Sequence, residues 1–182
     1  AQTDIEGVRL AIGATSLAYL SLDGLQAATQ RPVAQLCRAC LTREYPTARP
    51  DEAAKHRFEA ARAYAGERQA FGTAIVNHQA IQFKLADMAT ELEAARLLIW
   101  RAASLVDAKV PEATQAAAMG KRFATDAGFR IVNEALQLHG GYGYLKDFPI
   151  ERYLRDLRVH QILEGTNEIM RVIISRRLLM GQ

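Results

Sequence analysis

The chain has 182 residues, of which 49% are apolar and 24% charged, with a formal net charge of +3. That is the composition of an ordinary soluble globular domain with enough apolar residues for a real core. Lys and Arg are interleaved with acids rather than gathered in a block, which speaks against a nucleic-acid-binding face, and no run of about 18 apolar residues marks a membrane span.

No basic region followed by an apolar stretch opens the chain, so no signal peptide is read. The first residue is Ala1 rather than Met, so the chain is expected to be a fragment, a processed product or a trimmed form. Residues 1–44 carry a loose helical pattern broken by Gly13, Gly24 and Pro32, read as two helices. Cys37 and Cys40 form a CxxC. A zinc site would need two more ligands, and His56, His78, His139 and His160 are too scattered to supply them, so the pair is read as reduced thiols. No metal is expected. Tyr45 to Pro50, with two prolines, is the best linker, and Asp51 with Glu52 makes a helix start. The chain therefore divides into a helical segment, 1–50, and a main domain, 51–182.

Residues 57–67 continue a helix that ends near Arg68, and Gly72 marks a turn; Phe71 between them reads as a loop aromatic anchored in the core. Asn77 is a candidate N-cap for a long helix, with His78 and Gln79 in its first turn. Ile81, Leu85, Met88, Leu92, Ala95 and Ile99 recur at steps of four and three, an amphipathic stripe for packing on other helices. Pro111 and Glu112 open the next helix, whose buried stripe is Ala116, Met119, Phe123, Ala127, Ile131, Ala135 and Leu138. It runs into a loop with Gly140, Gly141 and Gly143, glycines that can end a helix and reverse the chain. Glu151, Arg152, Arg155 and Asp156 form the charged face of a short helix. No alternating strand pattern survives, and the expected fold is an all-α helical bundle with short connections.

Between His160 and the last helix, a carboxylate is followed at once by glycine and then by a threonine: Glu164, Gly165, Thr166. That order puts Glu164 on a turn. Gly165 lets a ligand or another backbone come close, and Thr166 can cap the helix that carries Ile169, Val172 and Ile173. Glu164 either shares in that capping or acts as a base, its pKa raised by burial and lowered by an opposing positive charge.

Three stretches, Glu67 to Gly72 with His78 and Gln79, Gln137 to Tyr144, and His160 to Glu168, together resemble the C-terminal domain of the acyl-CoA dehydrogenases. The likeness runs from about residue 57 to the C-terminus, and its wording is nearest the isobutyryl-CoA or another short branched-chain branch. It implies an FAD-dependent enzyme that oxidises acyl-CoA to 2-enoyl-CoA, with Glu164 as the base that removes the α-proton and a hydride passing to flavin N5. Arg68 is implied on the FAD pyrophosphate of a neighbouring subunit, in a contact run with Gln69 and Ala70, and Phe71 near the adenine end. His78 and Gln79 are implied near FAD, Gln137, Gly140 and Gly141 against its adenosine part, and Thr166, Asn167 and Glu168 beside the cofactor. Gly165 is implied to make room for substrate. The resemblance also implies an electron-transfer flavoprotein as acceptor, a homo-oligomer (dimer or tetramer), and a cytoplasmic or, in a eukaryote, mitochondrial matrix location. Family subunits are longer, with a helical and a β domain ahead of this one. The alternatives are a non-catalytic helical assembly module and a flavin-dependent acyl-CoA oxidase or monooxygenase.

Overall fold

Small side chains on one helix decide the architecture. The computed structural model describes residues 50–180; the expected N-terminal helices, Cys37 with Cys40 and most of the linker lie outside them. In chain order the elements are α1 (Pro50–Glu67), a hairpin of β1 (Gln69–Ala70) and β2 (Thr73–Ala74), α2 (Gln79–Asp107), α3 (Ala113–His139), α4 (Ile150–His160) and α5 (Asn167–Met180). Short 3-10 turns occupy Ile75–Asn77 and Gly140–Tyr144.

Helix α3 packs against α1, α2, α4 and α5. Four neighbours can crowd one helix only if its flanks are thin, and Ala116, Ala117, Ala118, Gly120, Ala124, Ala127, Gly128 and Ala135 are all buried along it. The expected stripe is therefore too narrow a description. Met119 and Phe123 are only half-buried, whereas Thr125, Val132 and Leu136 on other faces are buried outright. The larger core side chains gather at the α1, α2 and α4 side, where Met88, Leu92, Ile131, Leu138, Ile150 and Leu157 pack together. Ala102, Met170 and Ile173 form a second cluster beneath α5.

On α2 the expected stripe is buried: Met88 and Leu92 pack into the first cluster with Ile81 and Leu85 at its edge, and Ala95 and Ile99 form a third with Ala124 and Ala127. Along the rim, Lys84 pairs with Glu134, and Arg130 grips Glu91 through Nε and Nη2 at 3.1 and 2.9 Å. Helix α2 ends in a Schellman arrangement: the Lys109 and Val110 N–H groups donate to the Val106 and Leu105 carbonyls, with Lys109 left-handed at φ 53°.

Local details correct the sequence reading in three places. The bundle carries a small antiparallel hairpin, paired Gln69 to Ala74 and Ala70 to Thr73, which is too short to leave an alternating pattern. Asn77 is not the cap of α2: it closes the 3-10 turn and donates from Nδ2 to Thr73 Oγ1 at 2.7 Å, while His78 stands at the N-cap without a side-chain capping bond. Helix α3 begins at Ala113, with Pro111 and Glu112 in the turn before it, a shift within the usual uncertainty of helix ends.

Burial rather than rim charge should dominate stability. Truncating the buried Ile131 to Ala is expected to cost about 2–5 kcal/mol in a denaturant titration. Glu91→Ala, which severs the Arg130 pair, should cost less than about 1 kcal/mol.

Candidate functional site

The sequence-predicted residues fall into two groups at opposite ends of α3. The first surrounds a cleft of about 560 Å³ lined by Tyr64, Arg68, Ile75, Leu138, His139 and the Gly140–Tyr142 turn. It forms because α1 ends beside the C-terminus of α3. Tyr64 stacks on the buried His139 with ring centres 4.2 Å apart, and Phe148 meets both rings edge-on. His139 Nδ1 lies 2.8 Å from the Ala135 carbonyl, which fixes its tautomer as an Nδ1–H donor; burial pushes its pKa down. The Arg68 guanidinium sits over the Tyr142 ring at 5.5 Å, and no ion pair among the described residues engages it.

Each glycine of the turn has a different reason to be there. Gly140 closes α3 at φ 58°, a conformation side chains rarely adopt. At Gly143 an added Cβ would fall 2.6 Å from Leu136 Cδ1. Gly141 has neither demand: its φ is not positive and an added Cβ would meet nothing within 4 Å. Packing among the described residues does not require that glycine.

Phe71 departs most from expectation. It is 96% exposed, at φ 54°, next to Gly72 at φ 83°. Two consecutive positive φ values make a tight hairpin turn of the primed type, in which a bulky residue at the first position is strained. It is therefore not anchored in the core; its ring meets His78 edge-on at 6.0 Å, and His78 Nε2 lies 3.3 Å from the Ala70 carbonyl. Gln69, Gln79 and Gln137 are exposed, and Ala70 is half-buried.

The second group lies on the α4–α5 connection. Glu164 is on a turn, at φ 59°, with Gly165 at φ 93°. It is half-buried, and burial raises its pKa above the ordinary carboxylate value while the Lys121 charge opposes the rise. Ile162 and Leu163, just before it, are large apolar residues left exposed. Thr166 caps α5 as expected, its hydroxyl 3.4 Å from the Ile169 N–H. Glu168 is fully exposed and held below the ordinary carboxylate range, first by its own backbone N–H and then by the Thr166 hydroxyl. His160 is pushed down by burial.

Asn167, expected beside a cofactor, turns inward instead and is 3% exposed. Its Nδ2 donates to Asp126 Oδ1 at 2.7 Å and to Thr125 Oγ1 at 2.9 Å, and its Oδ1 accepts from Lys121 Nζ at 2.8 Å. Lys121 Nζ also donates to the Gly165 carbonyl at 2.8 Å, and Gln161 Nε2 donates to Asp126 Oδ1 at 3.0 Å. The sequence reading missed Lys121, Thr125 and Asp126. Their signal was polarity at helical spacing within an Ala-rich, buried helix, where each polar group needs a partner.

Lys121 and His139 are separated along α3 by roughly 27 Å at 1.5 Å per residue. Thus Arg68 and the Gly140–Gly141 turn share one cleft, and Glu164 stands apart. Among the described residues no group of His, Cys, Asp and Glu could hold a metal ion, and no helix is long and apolar enough to cross a membrane.

The family model for the C-terminal domain of acyl-CoA dehydrogenase matches residues 50–179, well over half of the chain. The chain belongs to the acyl-CoA dehydrogenase family. Mitochondrial isobutyryl-CoA dehydrogenase of Dictyostelium discoideum is 56% identical over 119 residues, which are 65% of this chain and 29% of that protein. The solved butyryl-CoA dehydrogenase of Megasphaera elsdenii is 39% identical with a TM-score of 0.70, over 72% of this chain and 34% of that one. PigA, solved with FAD and proline, is 28% identical with a TM-score of 0.70, over 73% of this chain and 34% of that one. The chain thus spans about a third of the length of these members of known structure or name.

Glu164 titrates above its unfolded value of 4.5, so its charged form is disfavoured by folding. The fold is then weakened as pH rises through the folded pKa, and not below the unfolded one. Glu164→Gln should therefore melt higher than the parent at pH 8, with the gap closing below pH 4.5. A melting-temperature difference that does not change with pH would contradict this.

Proposed function

We propose that this chain is the part of an acyl-CoA dehydrogenase that supplies the base and one face of the cofactor site, acting on a short or branched acyl-CoA such as isobutyryl-CoA. The observation that carries the reading is Glu164: a half-buried carboxylate with a raised pKa, held in a left-handed turn beside Gly165 and flanked by exposed apolar residues. A carboxylate whose pKa is brought towards neutrality is suited to general-base work.

FAD fits the residues of the cleft. Arg68 has no ion-pair partner among the described residues and would meet the pyrophosphate with a planar fork of donors. Gly141 leaves open the space a side chain would fill, and the exposed Phe71 offers an aromatic face from the hairpin that Arg68 begins. Gln69, Ala70, His78, Gln79, Gln137 and Gly140 would complete the cofactor contacts. Bound FAD supplies the hydride acceptor at N5 for the hydride leaving the substrate β-carbon.

At the other end of α3, the Glu164 carboxylate takes the α-proton. The Glu164 N–H polarises the thioester oxygen as charge develops there, which is how a weakly acidic proton becomes removable. Gly165 leaves room for the substrate, and Thr166 and Glu168 border the flavin. The separation of the two groups along α3 supports a homo-oligomer, in which the Arg68 cleft of one subunit serves the flavin facing Glu164 of another. An electron-transfer flavoprotein is the proposed acceptor, in the cytoplasm or mitochondrial matrix.

The second reading, a non-catalytic helical assembly module, is supported by apolar residues left exposed along α2 and α5: Leu97, Trp100, Leu178 and Leu179. Bound flavin separates the two. Added isobutyryl-CoA should bleach the flavin absorbance of the protein carrying this sequence, and Glu164→Gln should slow that bleaching by roughly 10²-fold or more. Bleaching at the parent rate in the variant would remove Glu164 as the base; no retained flavin would favour the assembly module.

A further inference from the structure

The Glu164 turn has a mechanical problem that its own backbone does not solve. Two successive residues at φ 59° and 93° are strained for glutamate and persist only where surrounding contacts over-determine them. The turn's ends are fixed by backbone bonds, Leu163 N–H to the Val159 carbonyl at 2.9 Å and Asn167 N–H to the Gln161 carbonyl at 3.0 Å. Its middle is held from outside, by α3. The Lys121 ammonium reaches the Gly165 carbonyl and Asn167 Oδ1, each at 2.8 Å. Helix α3 aims that ammonium well: Thr125, one turn on, donates its hydroxyl to the Lys121 carbonyl at 3.0 Å and accepts from Asn167 Nδ2 at 2.9 Å. Asp126 completes the seat by accepting from both Asn167 and Gln161.

We infer that Lys121 is the positioning residue of the base: from α3 its ammonium clamps the carbonyl after Glu164 and the side chain that begins α5, and so fixes where the Glu164 carboxylate points. The clamping ammonium also carries a positive charge that acts on Glu164. The charged and titratable groups around the turn are Lys121, Arg122 and Asp126 from α3, Asp156 and His160 from α4, and Glu168 and Arg171 from α5; of these, Lys121 is the one whose charge bears on Glu164. Burial raises the Glu164 pKa and Lys121 opposes the rise, so the side chain that holds the turn also tempers the proton affinity of the base. The consequence for catalysis rests on the reading of Glu164 as the base; the clamp itself does not.

The test is made on this chain without cofactor or substrate, by amide hydrogen exchange and by carbon NMR titration of labelled glutamate, Glu164 being assigned by its loss in Glu164→Gln. In Lys121→Met the amides of Leu163 to Asn167 should exchange about tenfold faster or more, as expected for losing charge-assisted bonds, while the middle of α3 keeps its protection. The Glu164 titration should move to higher pH. Lys121→Arg should restore both, because a guanidinium keeps the charge and the donors. Parent-like exchange in the turn together with a parent-like Glu164 titration in Lys121→Met would overturn the inference. If Lys121→Met does not fold, Lys121→Gln decides: an upward shift in the Glu164 titration supports the assignment and an unchanged one sinks it. If flavin bleaching survives Glu164→Gln, the base reading fails while these exchange results stand.

Discussion

The close packing of four helices around α3 is the constraint from which the rest of the structure follows. Its alanines and glycines let α1, α2, α4 and α5 all reach its backbone, and the price is that the first half of α3 buries nothing larger than Thr125 to lock its neighbours in place. The locking is done instead at the two ends. At the C-terminal end His139 stacks on Tyr64 and ties α1 to α3, beside the cleft with Arg68 and Gly141. Nearer the start, Lys121, Thr125 and Asp126 seat the α4–α5 connection. Both candidate sites are built on these locks, so they are held by the most buried element of the bundle.

Three separate unfavourable features coincide at Glu164: left-handed backbone on a residue with a Cβ, partial burial of a carboxylate, and exposed apolar neighbours. Any one is ordinary. Their coincidence in a single turn, offset by a buried polar network around Asn167, supports the proposed role of Glu164 as a base. The hairpin repeats the pattern in milder form, with a strained and fully displayed Phe71 where core packing would have hidden an aromatic.

Much of this was legible in the sequence. The stripe on α2, the end of α3 at the glycine turn, and the placing of Glu164 on a turn rather than a helix face all follow from periodicity and from Gly and Thr beside an acid. The inward turn of the Asn167 amide onto α3 was not legible in the sequence. That is a tertiary contact across some forty residues, which no local pattern encodes. For Phe71 only the core-anchor reading fails: aromatics are so commonly core that an exposed one at a hairpin tip reads as buried until the turn type is known. The extra buried faces of α3 escaped because periodicity finds one apolar face, and a helix surrounded on several sides needs small residues rather than a stripe.

The account stands or falls on whether Glu164 removes a proton from the α-carbon of an acyl thioester, and the most direct measurement watches that proton alone. The FAD-loaded protein carrying this sequence is incubated with isobutyryl-CoA in D₂O without an electron acceptor, and deuterium at the α-carbon is followed by mass spectrometry. The account predicts incorporation by the parent protein and its loss in Glu164→Gln. Incorporation by the variant at the parent rate would mean that another group takes the proton, and that the strained turn serves a different purpose.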